Sequence, residues 1–410
     1  MILEKYFTRY KISTINVENT FIKSLKKQDI TKTAVRAYDG KRIGISAAMG
    51  SYDESNLARE AEKALKKNIP YPYKPSAGRR ESFSHTPQIV KDEDLINETE
   101  ELLSEIRARQ PLFSFSHEIS VVELETGISN NAGLDLYFKN RIFELGFLIR
   151  DKKSANIMDS FVSVKGKIYD RTEILKEISR NCDAFGRNMK LNKKGRQPVV
   201  FLSDDALIYS KLTSELNGTK IGTKSSLFNN LLGKKSFSGD LTFMQSCDPY
   251  IDQTSFFDAE GAVNPGYACN FIENGFILKP FADKKNAAEY NLEHTASAQC
   301  DYDEVPRIGL LSARFKSSAK TIKELLGGRK AILAYICAGG DFTPDGDFST
   351  PVQLAYYFDG TDYIGRLPQI QLKSNIFDMF GGGFIGASED KVCPLTSCAY
   401  IAMDMDVSLM

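Results

Sequence analysis

Apolar and polar positions along this chain change period several times, and each change marks an element. Residues 12–25 alternate loosely, and two further strand-like runs, 33–38 and 42–47, flank Asp39-Gly40. An Asp-Gly pair tolerates the positive φ of a tight hairpin turn, so these runs predict paired strands. Over 53–67 the period becomes helical. Leu57, Ala58, Ala61, Ala64 and Leu65 share one face, and Glu62 and Lys66 stand one turn apart. Pro70, Pro72, Pro75, Gly78 and Pro87 then predict a connector that interrupts regular structure. A second helix, 92–109, presents Leu95, Ile96, Leu102, Leu103 and Ile106. Strands at 113–125 and 134–150 surround the turn Asn130-Asn131-Ala132-Gly133. A third helix begins near Asp170, with Glu173 at capping-box spacing and Ile174, Leu175, Ile178, Cys182 and Phe185 packed inward.

The polar segment 190–197 predicts a boundary between an N-terminal α/β sheet-and-helix domain, 1–190, and a β-rich, mainly antiparallel C-terminal domain, 198–410. A short strand at 198–202 leads into a helix capped by Ser203, with Leu207, Ile208, Leu212 and Leu216 inward. From about residue 240 the chain consists of short strands separated by Asn-Gly, Asp-Gly and Gly-Gly turns, with one more helix at 318–326. The fold class is α+β.

Composition narrows the function. With 53 basic and 53 acidic residues and 42% hydrophobic residues, the chain can bury a large core but carries no net charge that would mark a nucleic-acid binder. Its 7 cysteines are irregularly spaced, without a C-x-x-C pair, which suits reduced thiols rather than a disulfide framework or a zinc ribbon. The N-terminus lacks the apolar core of a signal peptide and no apolar run spans a bilayer, so the expectation is a cytoplasmic protein without a membrane segment.

Two stretches carry the strongest local signals. The first, 256–277, joins an acidic turn (Asp258, Glu260, Gly261) to a strand-like run and an Asn274-Gly275 hairpin. The second joins Gly339-Gly340-Asp341 to Pro344-Asp345-Gly346-Asp347-Phe348-Ser349. Together they resemble the TldD/TldE (PmbA) family of metallopeptidase subunits, in which a DxEG turn leads into an IENG hairpin and a later Gly-Gly run leads into GDFS. The resemblance extends from about Thr33 to the C-terminus, and the family's usual first helix is missing before the opening strands.

The resemblance implies an α+β fold of this layout and, in catalytic members, a zinc ion held by an HExxxH motif on the helix that opens the C-terminal domain. Placing Pro198-Val199-Val200 on the family's preceding strand brings that motif onto 212–217. Leu212 and Asn217 stand where the two histidines belong, and Thr213 where the catalytic glutamate belongs. No histidine occurs between 118 and 293, so a shifted placement does not restore the motif. Leucine has no lone pair for a metal, and threonine is no general base at neutral pH. Catalytic members also use a C-terminal cysteine as a ligand, and Cys393 and Cys398 lie in that region. The implied branch is TldE (PmbA)-like: no cofactor or catalytic group in this chain, zinc in a TldD-like partner, and processing of small unfolded or modified peptides.

Other groupings read differently. Asp341 to Ser349 imitates part of a calcium loop, but Val352 stands where the final glutamate is needed, so a hairpin turn is expected. Gly381-Gly382-Gly383 lacks the lysine of a phosphate loop. Cys337 has no histidine placed near it by sequence, and His117-Glu118 and His294 read as ordinary surface or core positions. Asp258 and Glu260 cap their own turn or form an acid–base pair facing a cleft. Gly261, Gly339, Gly340 and Asp341 complete the candidate cleft, where an extended peptide adds along a sheet edge. Two alternatives stay open: a stand-alone hydrolase built around Cys337, and a homodimeric peptide-binding scaffold.

Overall fold

Period-two alternation persists far longer than the sequence pattern suggests. The computed structural model describes residues 1–87 and 89–410, and the chain opens with two very long strands, β1 (Ile2–Glu18) and β2 (Phe21–Tyr38). The run 12–25 is therefore not one segment: it crosses a turn at Asn19 and Thr20, whose φ angles are 50° and 66°. A β-branched residue crowds its own backbone in that left-handed region, so Thr20 offers no turn signal. Its conformation is held from outside. The Thr20 N–H donates to the Phe115 carbonyl (2.7 Å), the Phe115 N–H donates to Thr20 Oγ1 (3.0 Å), and Arg107 donates to the Thr20 carbonyl (2.7 Å).

β3 (Arg42–Met49) follows the expected Asp39-Gly40 turn, and α1 (Glu54–Ala64) is capped by the Asp53 carboxylate, which accepts from the Ser55 and Asn56 N–H groups. The proline-rich connector contains two strands that its prolines conceal, β4 (Ile69–Pro70) and β5 (Arg80–His85). α2 (Leu95–Arg109) buries Leu95, Leu102, Leu103 and Ile106, while Ile96 in its first turn is left exposed. β6 (Phe113–Asn130), β7 (Asp135–Asp151) and β8 (Ser160–Gly166) complete one sheet in the order β4-β3-β2-β1-β6-β7, with β5 and β8 sharing the outer edge of β7. Every pairing is antiparallel except β5 with β7. α3 (Arg171–Gly186) starts at Asp170, which caps the Thr172 and Glu173 N–H groups.

β9 (Gly195–Leu202) begins inside the polar segment 190–197 and leads into α4 (Ala206–Glu215) and α5 (Gly218–Gly222). A small sheet follows, built from β10 (Phe243–Ser246), β11 (Ala268–Glu273) and β12 (Phe276–Ile277). Asn274 and Gly275, at φ 49° and 82°, make the expected hairpin between β11 and β12. Next come α6 (Lys284–Tyr290), β13 (Ala298–Gln299), β14 (Arg307–Ile308), β15 (Ala313–Phe315), which pairs with β10, and α7 (Ile322–Leu326). The last section holds β16 (Ala331–Cys337), β17 (Asp341–Phe342), β18 (Asp347–Phe358), β19 (Tyr363–Arg366), β20 (Ile370–Asn375), α8 (Ile376–Met379), β21 (Phe384–Lys391) and β22 (Ala399–Leu409).

The pairings β9–β16, β16–β18, β18–β20, β20–β22 and β22–β9 close into a ring, which removes open sheet edges. Only β9–β16 is parallel, and it is short: Val199 with Ile332 and Val200 with Leu333. Side chains alternate between two cores across this wall. Val199, Phe201, Ile332, Ile401 and Met403 point into one, with Leu212 and Leu216. Val200, Leu333, Tyr335, Tyr400 and Ala402 point into the other, shared with α2, α3 and the face of the first sheet carrying Phe143, Leu145 and Phe147. The fold is α+β with mainly antiparallel sheet, as the sequence predicts.

Close approach fixes α1 on β3 at Gly44, where a Cβ would stand 2.2 Å from the Ala61 carbonyl oxygen and 2.6 Å from the Leu65 nitrogen. Backbone cannot move aside as a side-chain tip can. Gly44→Ala is therefore expected to cost about 1–3 kcal/mol, as overpacking does. Urea denaturation would measure it, and an unchanged midpoint would show that α1 adjusts freely.

Candidate functional site

The ring has one weak seam. Beyond Leu333 no strand pairs with β16 on its β9 side among the described residues, because β9 turns away at Leu202 into α4. The divergence opens a cavity of about 530 Å³, walled by Leu202, Asp204, Asp205 and Leu207 on one side and by the 334–340 stretch on the other. Phe161, Glu177 and Cys398 lie among its remaining lining residues.

Local chemistry shapes the mouth. Asp205, not Ser203, caps α4: its carboxylate accepts from the Leu207 N–H (3.0 Å), while the Ser203 hydroxyl accepts from the Ala399 N–H (2.8 Å) and anchors the start of β22. The Cys398 thiol donates to Asp204 Oδ1 (3.0 Å). Burial, and then the charge of Asp204, push this thiol up to about 12. Burial, and then Asp205, do the same to Cys337. Both thiols are protonated at neutral pH, and no imidazole lines the cavity, so Cys337 has neither the thiolate character nor the adjacent base of a nucleophile.

Gly339 and Gly340 adopt φ of 87° and 104° at this cavity. A Cβ on Gly339 would meet nothing within 4 Å, whereas one on Gly340 would collide with Thr350 at 2.5 Å. Gly340 is thus required by packing as well as by its backbone, and Gly339 alone leaves space open to a ligand. Asp341 turns away into the hairpin, paired with Ser349, and does not line the cavity.

The helix implied to carry a zinc motif offers a different set of groups. Leu212 is fully buried in the barrel-side core. Thr213 Oγ1 is buried without a hydrogen-bond partner. Asn217 lies beyond the end of α4 and caps α5, accepting from the Thr219 N–H (2.9 Å). Nearby, Glu215 is buried between Lys211 (3.0 Å) and Lys220 (3.1 Å) and accepts from the Leu227 N–H (2.8 Å). A hydrocarbon, an engaged amide and a neutral hydroxyl do not suit zinc, which takes imidazole, thiolate or carboxylate donors.

The other predicted turn lies in a separate place. Asp258 lines a different cavity of about 330 Å³ that shares no lining residue with the first, and Glu260 and Gly261 line neither. Asp258 Oδ1 accepts from the Glu260 (2.9 Å) and Ala262 (2.8 Å) N–H groups, and Oδ2 from that of Ala298 (3.1 Å). Glu260 accepts from the Tyr71 hydroxyl (2.6 Å) and the Lys284 N–H (3.0 Å). His294 Nε2 sits 3.5 Å from Glu260 Oε2. Gly261, at φ 69°, packs where a Cβ would strike Leu134 at 2.6 Å.

Asp258, Glu260 and His294 place ligand-type atoms within 4.8 Å of one another, but the carboxylate oxygens are already engaged by the chain itself. The sequence reading left His294 alone and did not find Tyr71 or Lys284, because no local spacing links residues so far apart. Arg36, on β2, was also missed: it is fully buried, donates to the Ala259 carbonyl (2.6 Å) and lies 3.4 Å from Glu4.

With this geometry established, the comparisons define the class. The sequence profile of the PmbA/TldA metallopeptidase C-terminal domain matches residues 194–402, half of the chain. The chain belongs to the PmbA/TldD metallopeptidase family. TldE from Thermococcus kodakarensis superposes with a TM-score of 0.80 at 16% identity, covering 99% of this chain and 96% of that one. A candidate modulator of DNA gyrase from Thermotoga maritima MSB8 gives 0.78 at 14% identity, covering 99% and 96%. Another from Bacteroides thetaiotaomicron VPI-5482 gives 0.76 at 14%, covering 100% and 95%. No curated protein sequence matches the chain. Among the described residues no helix is long and apolar enough to cross a membrane.

The buried acidic turn predicts a pH effect. Burial, and then the charge of Glu260, push the Asp258 carboxyl up to about 7. Burial also raises Glu260, but His294, Lys284 and Tyr71 together outweigh it and hold that carboxyl below its usual range. A raised acid binds its proton more tightly in the folded state, so Asp258 contributes stability below about pH 4 that is lost as pH rises to about 7. Asp258→Asn keeps an acceptor but removes the titration. The wild type should lose stability relative to this variant between those limits and hold a constant difference above them. Urea midpoints measured across the window would check this, and a constant difference throughout would contradict it.

Proposed function

We propose that this chain is the non-catalytic, TldE-like subunit of a heteromeric zinc peptidase that processes small unfolded or modified peptides. A TldD-like partner supplies the zinc and the catalytic groups. The observation that carries the reading is α4. The chain keeps the family's fold and has a cavity beside this helix, yet Leu212 is core, Thr213 is a neutral hydroxyl and Asn217 is a helix cap. This chain's contribution is a surface on which an extended peptide adds beside β16, bound mainly through main-chain hydrogen bonds with little sequence preference.

Its activity then exists only in an assembly, through an interface that buries more than about 1,000 Å². A symmetric homodimer formed in the partner's absence occupies the same surface. Co-expressed with an HExxxH-bearing TldD-like protein, this chain should co-purify and restore peptide cleavage that neither shows alone. Cleavage should vanish when the partner's motif glutamate is replaced and survive Cys337→Ser here. Full activity of the partner by itself would overturn the assignment.

The metal content is a separate test. Dialysed against a mild chelator, the isolated chain should retain far less than about one zinc per molecule, since a structural or catalytic site needs three or four good donors. Elemental analysis showing stoichiometric zinc would refute this.

A further inference from the structure

We infer that the groove beside β16 selects peptides bearing lysine or arginine side chains. This deepens the function proposed above and rests on it for the groove being a peptide site.

The lining contains Glu177, Asp204 and Asp205 but no lysine, arginine or histidine. Glu177, at 5% exposure, is already matched by Arg180 at 2.8 Å, so its charge is largely offset. The carboxylates at the mouth are not. Asp204 is exposed and accepts only from the neutral Cys398 thiol, and Asp205 accepts from the Leu207 N–H. The N-terminus of α4 takes up part of the Asp205 charge. Asp204 has no such compensation.

A cleft lined by one sign of charge within low-dielectric walls concentrates its field on whatever enters. The apolar part of the lining, with Leu202, Leu207, Ile336 and Val392, accommodates the methylene stem of a lysine or arginine while the cationic head reaches Asp204. The register is compatible with this. A strand added beside β16 directs every second side chain to the same side, so alternate residues of the peptide face this wall. An acidic peptide in the same place would set like charges together without relief.

Fluorescence anisotropy on the isolated, reduced chain tests the inference with short labelled peptides of alanine, serine and lysine. Counterparts carry glutamine or glutamate in place of lysine. The lysine peptide should bind about tenfold or more tighter than the glutamate peptide, and added salt should narrow the gap. Methylating alternate backbone nitrogens of the lysine peptide should abolish binding, because the charge remains while the strand-forming donors are lost. Asp204→Asn combined with Asp205→Asn should erase the lysine preference, bringing the lysine and glutamine peptides to the same affinity. Asparagine keeps the α4 cap and an acceptor for Cys398, so this variant is expected to fold.

Equal binding of the lysine and glutamate peptides would overturn the inference, as would a preference that survives the double substitution or the absence of binding by any peptide. None of these measurements involves a partner. The subunit assignment fails separately, through full activity of the partner alone.

Discussion

Burying a guanidinium removes it from water at a cost of several kcal/mol unless its donors and charge are met, and Arg36 is fully buried. Its surroundings meet most of that demand from distant parts of the chain. Nη1 donates to the Ala259 carbonyl, Nη2 to Cys300 Sγ (3.0 Å), Glu4 stands 3.4 Å away, and the Tyr6 ring lies beneath at 4.7 Å. Glu4 in turn accepts from Tyr38 (3.0 Å) and Asn130 (3.1 Å), and Asn130 also donates to the Ser76 carbonyl (2.8 Å). Ser76 then donates to the Glu260 carbonyl (2.7 Å). The first sheet, the proline-rich connector and the 258–261 turn are therefore fixed to one another by a single polar network. That network ties the acidic turn to the first sheet and the connector. Its carboxylates hold backbone in place, Asp258 through the Glu260, Ala262 and Ala298 N–H groups and Glu260 through that of Lys284.

Unpaired backbone lies elsewhere, in the second sheet. A closed ring of strands offers an edge where its closure is incomplete. The β9–β16 pairing ends after Val200 and Leu333, while Phe201 and Leu202 stay paired with β22 before Asp205 starts α4. The Gly339-Gly340 kink keeps the opposite wall low, with Gly340 pressed against Thr350 and Gly339 facing open space.

Much of this was legible in the sequence where the signal is local. Asp53 and Asp170 cap their helices, Asn274-Gly275 turns its hairpin, and the periodic faces of the second and third helices are nearly all buried. Signals that are cancelled or carried at long range were not legible. Thr20 turns β1 into β2 against its own preference, held by Phe115 and Arg107. β5 has one apolar anchor, Phe83, stacked on Phe138 with centroids 6.1 Å apart, and it is flanked by breakers that mask it. Ser203 and Asp205 are both good caps by type, and only the contact with Ala399 decides between them. The sequence also grouped the 258–261 and 339–341 turns into one cleft. Chain chemistry alone cannot reveal that they line different cavities, since that depends on how the sheets are stacked.

The positions that the sequence resemblance sets against the family's zinc motif are tied into the packing of α4 and α5. Leu212 contributes a fully buried side chain to the barrel-side core, so a histidine there would bring a polar ring into an apolar setting at a cost of about 1–3 kcal/mol without a partner. Asn217 caps α5, and imidazole is a poor substitute for an amide that accepts from the Thr219 N–H. Glu215 is the only carboxylate within α4. It is held by Lys211, Lys220 and the Leu227 N–H, so freeing it would strand a buried charge and loosen the 226–228 turn. Each position that would have to change supports a neighbouring element. Placing a metal site here would therefore require repacking both helices together.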